Sequence, residues 1–406
     1  MRRREFLAGT LGTLGTSGPV ITIAASTPCP PPTVALTRSA AVGTPCALPS
    51  SASPEWLKGA GVYQWINLPS LSASSVLPNP LPPGITGVAS VTDAWGGGAL
   101  RQNGSYYILH GGGHGDYSGN EIYVLQLSLD NPQWVRIWGP TPNAQIVQDQ
   151  YYYNDSPPSP ASVHTYYSLM YDDQDDVLMR FMKGQYTLPD YTGGIDGIKW
   201  GAASWEQNQK NAIWPLPPPS FLFSNGQCKD GNGNVYMVNS WNRFMWNRQA
   251  NSWSTPIAKS PYAVQSSGCC FDSKRGVVWS FGGSYGGGSI HAGKAYSWNV
   301  QNNSEALITL SGPNAGAIDG VNANFSGAVY DPIIDLVFVM PGDGYIYSFD
   351  PMTYRVTQIV TTGPALPQTN ASSGTAPWNK LQYVPELGGV VIQPLWKAQT
   401  FFMRTH

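Results

Sequence analysis

Charge is scarce in this chain. Of its 406 residues only 11% are Asp, Glu, Lys or Arg, against roughly 25% in an average soluble domain. The formal net charge is −2, so nothing electrostatic draws the chain to nucleic acid or to an anionic membrane surface. Long apolar runs are missing too. No segment approaches the roughly 20 apolar residues of a spanning helix, and no integral membrane segment is expected. Cysteine is sparse: there are five, with no Cys-x-x-Cys pair and no Cys/His spacing of a zinc site. No stretch of ten or more residues shows a clean helical period with caps, so helix is at most a minor element.

Glycine (45) and proline (35) are abundant instead, with 42% hydrophobic residues to build a core. The glycines and prolines follow no collagen-like period and read as punctuation between many short strands. Tryptophan (15) and tyrosine (22) on a weakly charged surface suit neutral, hydroxylated ligands better than polyanions.

The N-terminus carries a separate message. Arg3-Arg4 followed by Phe6-Leu7, ahead of a mildly apolar stretch ending near Ala24-Ala25, resembles a twin-arginine export signal. That implies residues 1–26 as a signal, export of a folded protein, and a periplasmic or secreted location. Residues 27–54, with Pro30-Pro31-Pro32, read as a Pro/Ser-rich linker. Within and near it, Cys29 and Cys46 could close a small loop. Cys228 reads as buried, and of the adjacent Cys269 and Cys270 at most one is expected to face the core.

From residue 55 to 406 one unit recurs. A strand meets a tight polar turn, a second apolar strand ends in small residues, and after a variable loop come an aromatic third and a Trp-bearing fourth strand. The first turns start at Gln102, Asp172, Asp230, Asp272, Asp331 and Pro385, separations of 70, 58, 42, 59 and 54 residues. A minimum near 42 with insertions is what a repeated four-stranded blade gives. Gly112-Gly113 with Tyr123 and Trp134, and Gly282-Gly283 with Tyr296, are similar to the glycine doublet, tyrosine and tryptophan of kelch repeats. The resemblance is partial, with the glycine doublet kept in two blades and lost in four, and it implies the fold of kelch-like, galactose-oxidase-type propellers. The expectation is an all-β, single β-propeller of about six four-stranded blades. The isolated segment Gly61–Leu68 is expected to complete the last blade and so to close the ring.

That frame gathers scattered residues on one face. The second-to-third-strand loops and the connections between blades emerge together, bringing His114, Asp116, Tyr117 and Asn120 towards His164 and Tyr166. Tyr191, Trp241, Arg243 and His291 lie on the same face. His114, His164 and Tyr166 are candidate acid–base groups, because imidazole titrates near neutrality. Arg243 is the candidate to neutralise a substrate carboxylate. Asp116, Tyr117, Asn120, Tyr191, Trp241 and His291 are candidate ligand-binding residues.

Other motifs carry less. Gly282-Gly283-Ser284-Tyr285-Gly286 fits G-x-S-x-G without the strand-to-helix elbow a serine hydrolase needs. The Asp230–Asn234 run lacks the distal Glu of a calcium loop. No tyrosine is followed directly by histidine, the ligand pair of the copper oxidases in that superfamily. No cofactor or metal is required. The expected function is carbohydrate binding on one face. The alternatives are a polysaccharide lyase using His, Tyr and Arg, and a protein-interaction or phage-associated surface-binding propeller.

Overall fold

The computed structural model describes residues 53–406 except 114, 148–149, 182–193, 203–204, 206–213, 216–224, 240, 263, 265, 284–292, 321–322 and 370–373. The chain divides into two units, Met1–Pro45 and Cys46–His406. The expected signal and most of the expected linker, with Cys29 and Cys46, lie outside the described residues.

The second unit is an all-β propeller of six antiparallel blades. Strand β1 (Trp65–Leu68) precedes them all. Blade one holds β2 (Gly98–Arg101), β3 (Tyr106–His110), β4 (Ile122–Gln126) and β5 (Trp134–Trp138). The three described strands of blade two are β6 (Leu169–Asp172), β7 (Val177–Arg180) and β8 (Asp196–Lys199). Blade three comprises β9 (Gly226–Lys229), β10 (Val235–Asn239), β11 (Asn242–Asn247) and β12 (Ser252–Ile257). In blade four these are β13 (Gly268–Asp272), β14 (Val277–Phe281), β15 (Lys294–Asn299) and β16 (Ser304–Thr309). Blade five is β17 (Gly327–Asp331), β18 (Leu336–Met340), β19 (Tyr347–Asp350) and β20 (Arg355–Gln358). The last sheet orders β1 beside β23 (Thr400–Arg404), then β22 (Gly389–Ile392) and β21 (Gln382–Val384). Trp65 faces Met403 and Leu68 faces Thr400 across that antiparallel pair. Among the described residues no helix is long and apolar enough to cross a membrane.

One turn explains the repeat. Every first-to-second-strand hairpin ends on a left-handed residue: Ser105, Asp176, Gly233, Gly276, Asp335 and Gly388, with φ from 50° to 80°. A short turn closed by such a residue matches the right-handed twist of its strands. In four blades an aspartate at the strand end accepts the backbone N–H two residues on: Asp172 from Gln174, Asp230 from Asn232, Asp272 from Lys274, Asp331 from Ile333. This is why Asp and Gly mark the turns in the sequence. At Asp230–Asn234 the carboxylate serves the turn itself, accepting also from the Asn234 N–H and the Tyr236 hydroxyl.

Apolar side chains pack between blades, on both faces of each sheet. Cys269 packs with Cys228, Tyr236 and Val238, while Cys270 packs with Trp279, Ala328 and Val337. Both are therefore buried, at 6% and 4% exposure, which corrects the expectation for one of them. Strand β13 packs against a neighbouring blade on each of its faces.

At the turn face, ion pairs tie blade to blade. Arg275 of blade four clasps Asp335 of blade five at 2.8 Å through both nitrogens, and also reaches Asp272. Arg101 of blade one holds Asp176 of blade two. Asp331 of blade five accepts from the Thr405 hydroxyl at 2.6 Å and lies 3.2 Å from His406 Nδ1.

The opposite, connection face carries a second set of left-handed residues. Trp95, Tyr166, Ser266, Phe325 and Trp378 (φ 46° to 62°) precede the first strands of blades one, two, four, five and six. Bulky residues rarely adopt this conformation, at a cost on the order of 1–3 kcal/mol each. Backbone bonds link them around the axis: Tyr166 N–H to Trp95 C=O, Phe325 to Ser266, and Trp378 to Phe325, at 2.8 to 3.0 Å. Tyr167 stretches over the axis, its hydroxyl donating to the Ser326 carbonyl at 3.0 Å.

Candidate functional site

Where the loop after β3 meets the connection from blade one to blade two, polar groups converge under this aromatic collar. Three backbone choices bring them together. Gly112 N–H bonds the Val163 carbonyl, fastening the loop to the connection. Gly113, at φ +89°, lies so close to the imidazole of His164 that a β-carbon there would fall 1.7 Å from Cδ2. Only glycine fits both that conformation and that gap. Finally, the left-handed Tyr166 turns its ring back against His164, with ring centroids 5.8 Å apart.

The result is a three-member chain. His164 Nε2 lies 2.9 Å from Asp116 Oδ2, and the Tyr166 hydroxyl lies 3.4 Å from His164 Nδ1. Asp116 is itself held by the Thr86 hydroxyl, which donates to Oδ1 at 2.7 Å. The carboxylate can accept only, so it fixes the proton on Nε2 and leaves the Nδ1 lone pair facing the phenol. His164 and Tyr166 are 3% and 7% exposed, whereas the Asp116 side chain is 25% exposed. Trp95 tilts over His164 with ring centroids 4.6 Å apart.

Of the expected site residues, the fold unites His164, Asp116 and Tyr166. His114, Tyr191 and His291 lie outside the described residues. Trp241, just before β11, stands 50% exposed.

Three expectations are corrected. Tyr117 is fully buried and donates its hydroxyl to Glu121 Oε1 at 2.5 Å, so it braces the loop and cannot stack on a sugar. Asn120 is fully buried too. Its amide donates to Thr141 Oγ1 and to the Pro160 carbonyl and accepts from Thr141 N–H. Arg243 is 1% exposed, with Nε 2.5 Å from Glu305 Oε1 and further bonds to Ser260 and the Tyr262 carbonyl. Burial lowers its pKa, against the opposing pull of Glu305. Its charge is neutralised inside the ring, so it is not the counter-ion for a substrate carboxylate.

Sequence reasoning missed Trp95, Thr86 and Glu121. The run Gly96-Gly97-Gly98 after Trp95 was the available signal for a close approach. Gly97 N–H bonds Thr165 Oγ1 at 2.7 Å, drawing the two connections together. Glu121 is 1% exposed and takes hydroxyls from Tyr117 and Tyr123, while burial lifts its carboxyl above the usual range. His110, at the end of β3, is likewise buried. Its Nδ1 lies 3.0 Å from the Glu121 carbonyl, and burial with Arg180 nearby pushes its pKa down to about 3. It stays neutral at working pH.

Among the described residues no three His, Cys, Asp or Glu side chains converge to hold a metal ion. No protein-family model matches the chain, and no curated protein resembles it.

Proposed function

We propose that this propeller takes a carbohydrate on its connection face, and that Asp116, His164 and Tyr166 relay a proton at it. The observation that carries this reading is the imidazole bridging a carboxylate and a phenol. Asp116 holds the tautomer, Nδ1 takes the phenolic proton as the phenolate takes one from a water that attacks the anomeric carbon, and the phenol hands that proton to the leaving sugar oxygen while the imidazolium reprotonates it. The 3.4 Å contact is long, as such contacts often are before substrate tightens them. Trp95 and the exposed Trp241 supply flat amphipathic rings for sugar faces. The low charge of the chain favours a neutral sugar. The lyase reading loses its counter-ion to Glu305, since uronate chemistry needs a free cation beside the carboxyl. Export behind the twin-arginine-like segment and a kelch-like origin belong to the same proposal. They rest on Arg3-Arg4 and on the two glycine doublets.

The test is a panel of neutral and uronic-acid polysaccharides, followed by reducing ends and by the ultraviolet absorbance of unsaturated uronates together. Reducing ends that are lost in His164→Ala at an unchanged melting temperature are expected. Absorbance growth would restore the lyase reading. Turnover undiminished in His164→Ala would remove the relay.

A further inference from the structure

The seam between blades two and three opens into a cleft of about 290 Å³. These blades meet loosely, since β6 and β9 touch less than any other pair of neighbouring first strands. The walls come from element ends that reach the turn face. Asp172 closes β6, Asp175 sits in the hairpin after it, Lys199 closes β8 and Arg248 follows β11. Asp175 is 59% exposed. The mouth therefore lies among the turns, on the face opposite His164.

Charge is concentrated here. Only 11% of the chain is charged, yet four of the nine residues lining this cleft are charged, two of each sign. Their formal charges cancel, so the cleft holds no surplus to attract an ion. Arg248 Nη1 lies 2.7 Å from Asp175 Oδ2 and 3.9 Å from Asp172 Oδ2, and its Nε donates to the Asn232 carbonyl. Such pairing does not exhaust the groups. A guanidinium has five N–H donors and a carboxylate about four lone-pair sites. The rim thus keeps donors beside acceptors, which suits hydroxyls because they do both.

The floor is of another kind. Val177, Met179, Trp214 and Trp246 line it and belong to one apolar cluster. Asn251, also in the wall, holds one of the two indoles by accepting from Trp246 Nε1–H at 3.3 Å. A polar rim around an aromatic floor calls for a ligand divided in the same way, with a flat C–H face and a border of hydroxyls. The volume sits at the small end of ligand pockets, roughly 300–1,000 Å³, which suits a single ring.

We propose that this cleft is a second binding site, for one neutral pyranose ring, with its C–H face on the tryptophan floor and its hydroxyls on Asp172, Asp175 and Arg248. It shares no residue with the relay and does not depend on it.

Fluorine NMR on the full chain labelled with 5-fluorotryptophan tests it. The lines of Trp214 and Trp95 are assigned by their absence from Trp214→Phe and Trp95→Phe. The probes are the methyl pyranosides of glucose, galactose, mannose and xylose, with cyclohexanol as the ring that lacks the border of hydroxyls. At least one pyranoside should move the Trp214 line saturably, and cyclohexanol should not. Arg248→Ala should raise the midpoint of that titration about tenfold or more, and His164→Ala should leave it unchanged. A Trp214 line that no pyranoside moves overturns the proposal, as does one that cyclohexanol moves equally. Movement of the Trp95 line alone places the sugar on the connection face instead and also overturns it. An unchanged midpoint in Arg248→Ala has the same force. Should that variant not fold, Asp175→Ala, at an exposed turn, takes its place with the same two outcomes.

Discussion

His164 Nε2 and Asp116 Oδ2 meet at 2.9 Å although 48 residues separate them in the chain. The contact exists because the loop after β3 folds over the connection into blade two. Replacing the carboxylate by an amide allows the opposite tautomer. Asp116→Asn should then lower turnover on the responsive polysaccharide by about 10²-fold or more, the usual worth of a positioned acid–base group, with little change in melting temperature. Steady-state kinetics beside calorimetry would show it, and an equal loss of stability would make the pair structural only.

Gly113→Ala is expected to disable the same site without touching a polar group. Its β-carbon would fall 1.9 Å from His164 Nε2 on a backbone at φ +89°, so the loop must lift away. Activity should fall as far as in His164→Ala, and the melting temperature should fall as well. A crystal structure with the imidazole unmoved would refute this.

Removing residues 55–69 deletes β1 and leaves β23 with an open edge in the last blade. Trp65 and Leu68, 2% and 3% exposed, leave the core with it. The single cooperative unfolding transition should be lost, as followed by calorimetry and urea titration. A truncated chain that melts like the parent would show that β1 is dispensable.

Arg275 satisfies two carboxylates, one of them the fully buried Asp272. Arg275→Met keeps the aliphatic stem but strands both charges. A loss of about 3 kcal/mol is expected, the lower end for breaking a buried pair, read as a shift in urea midpoint. The double change Arg275→Met with Asp335→Leu should recover part of it.

Acid should weaken the seam between blades five and six. Burial alone would raise the pKa of Asp331, but the bonds from His406 and Thr405 outweigh it and hold the carboxyl below its ordinary value. A group depressed in the fold stabilises above its unfolded pKa, about 3.9 for aspartate, and loses that stabilisation as pH falls through the folded value. The gap in urea midpoint between wild type and Asp331→Asn should be widest above about pH 5 and close below about pH 4. A gap that is flat across this range would assign the bond no linkage.

Much of the fold was legible because the turn is a local device. Asp172, Asp272 and Asp331 cap their own hairpins, and that demand is written in adjacent residues. The glycine doublets were legible for the same reason, although their purpose was not. Gly113 makes room for His164, and Gly282 for the carbonyl of Ala323, each letting a loop pass over the next connection. The site was read less well. His164 and Tyr166 stood out as polar residues at a strand entrance. Arg243, Tyr117 and Asn120 have the same composition-level signature, and only their partners Glu305, Glu121 and Thr141 reveal them as interior braces. Trp95 escaped notice because its role depends on a left-handed backbone that sequence pattern does not announce.

The pairing of β1 with β23 also sets a timetable. β1 leaves the ribosome before any blade exists, and its partner is made after every other strand has emerged. Until then Trp65 lacks Phe401 and Met403, Leu68 lacks Phe402, and the sixth sheet is without β23. Contacts this remote in sequence are slow to form. The five earlier blades are therefore made while the leading strand is still unattached, and the last blade is completed only once β23 has emerged.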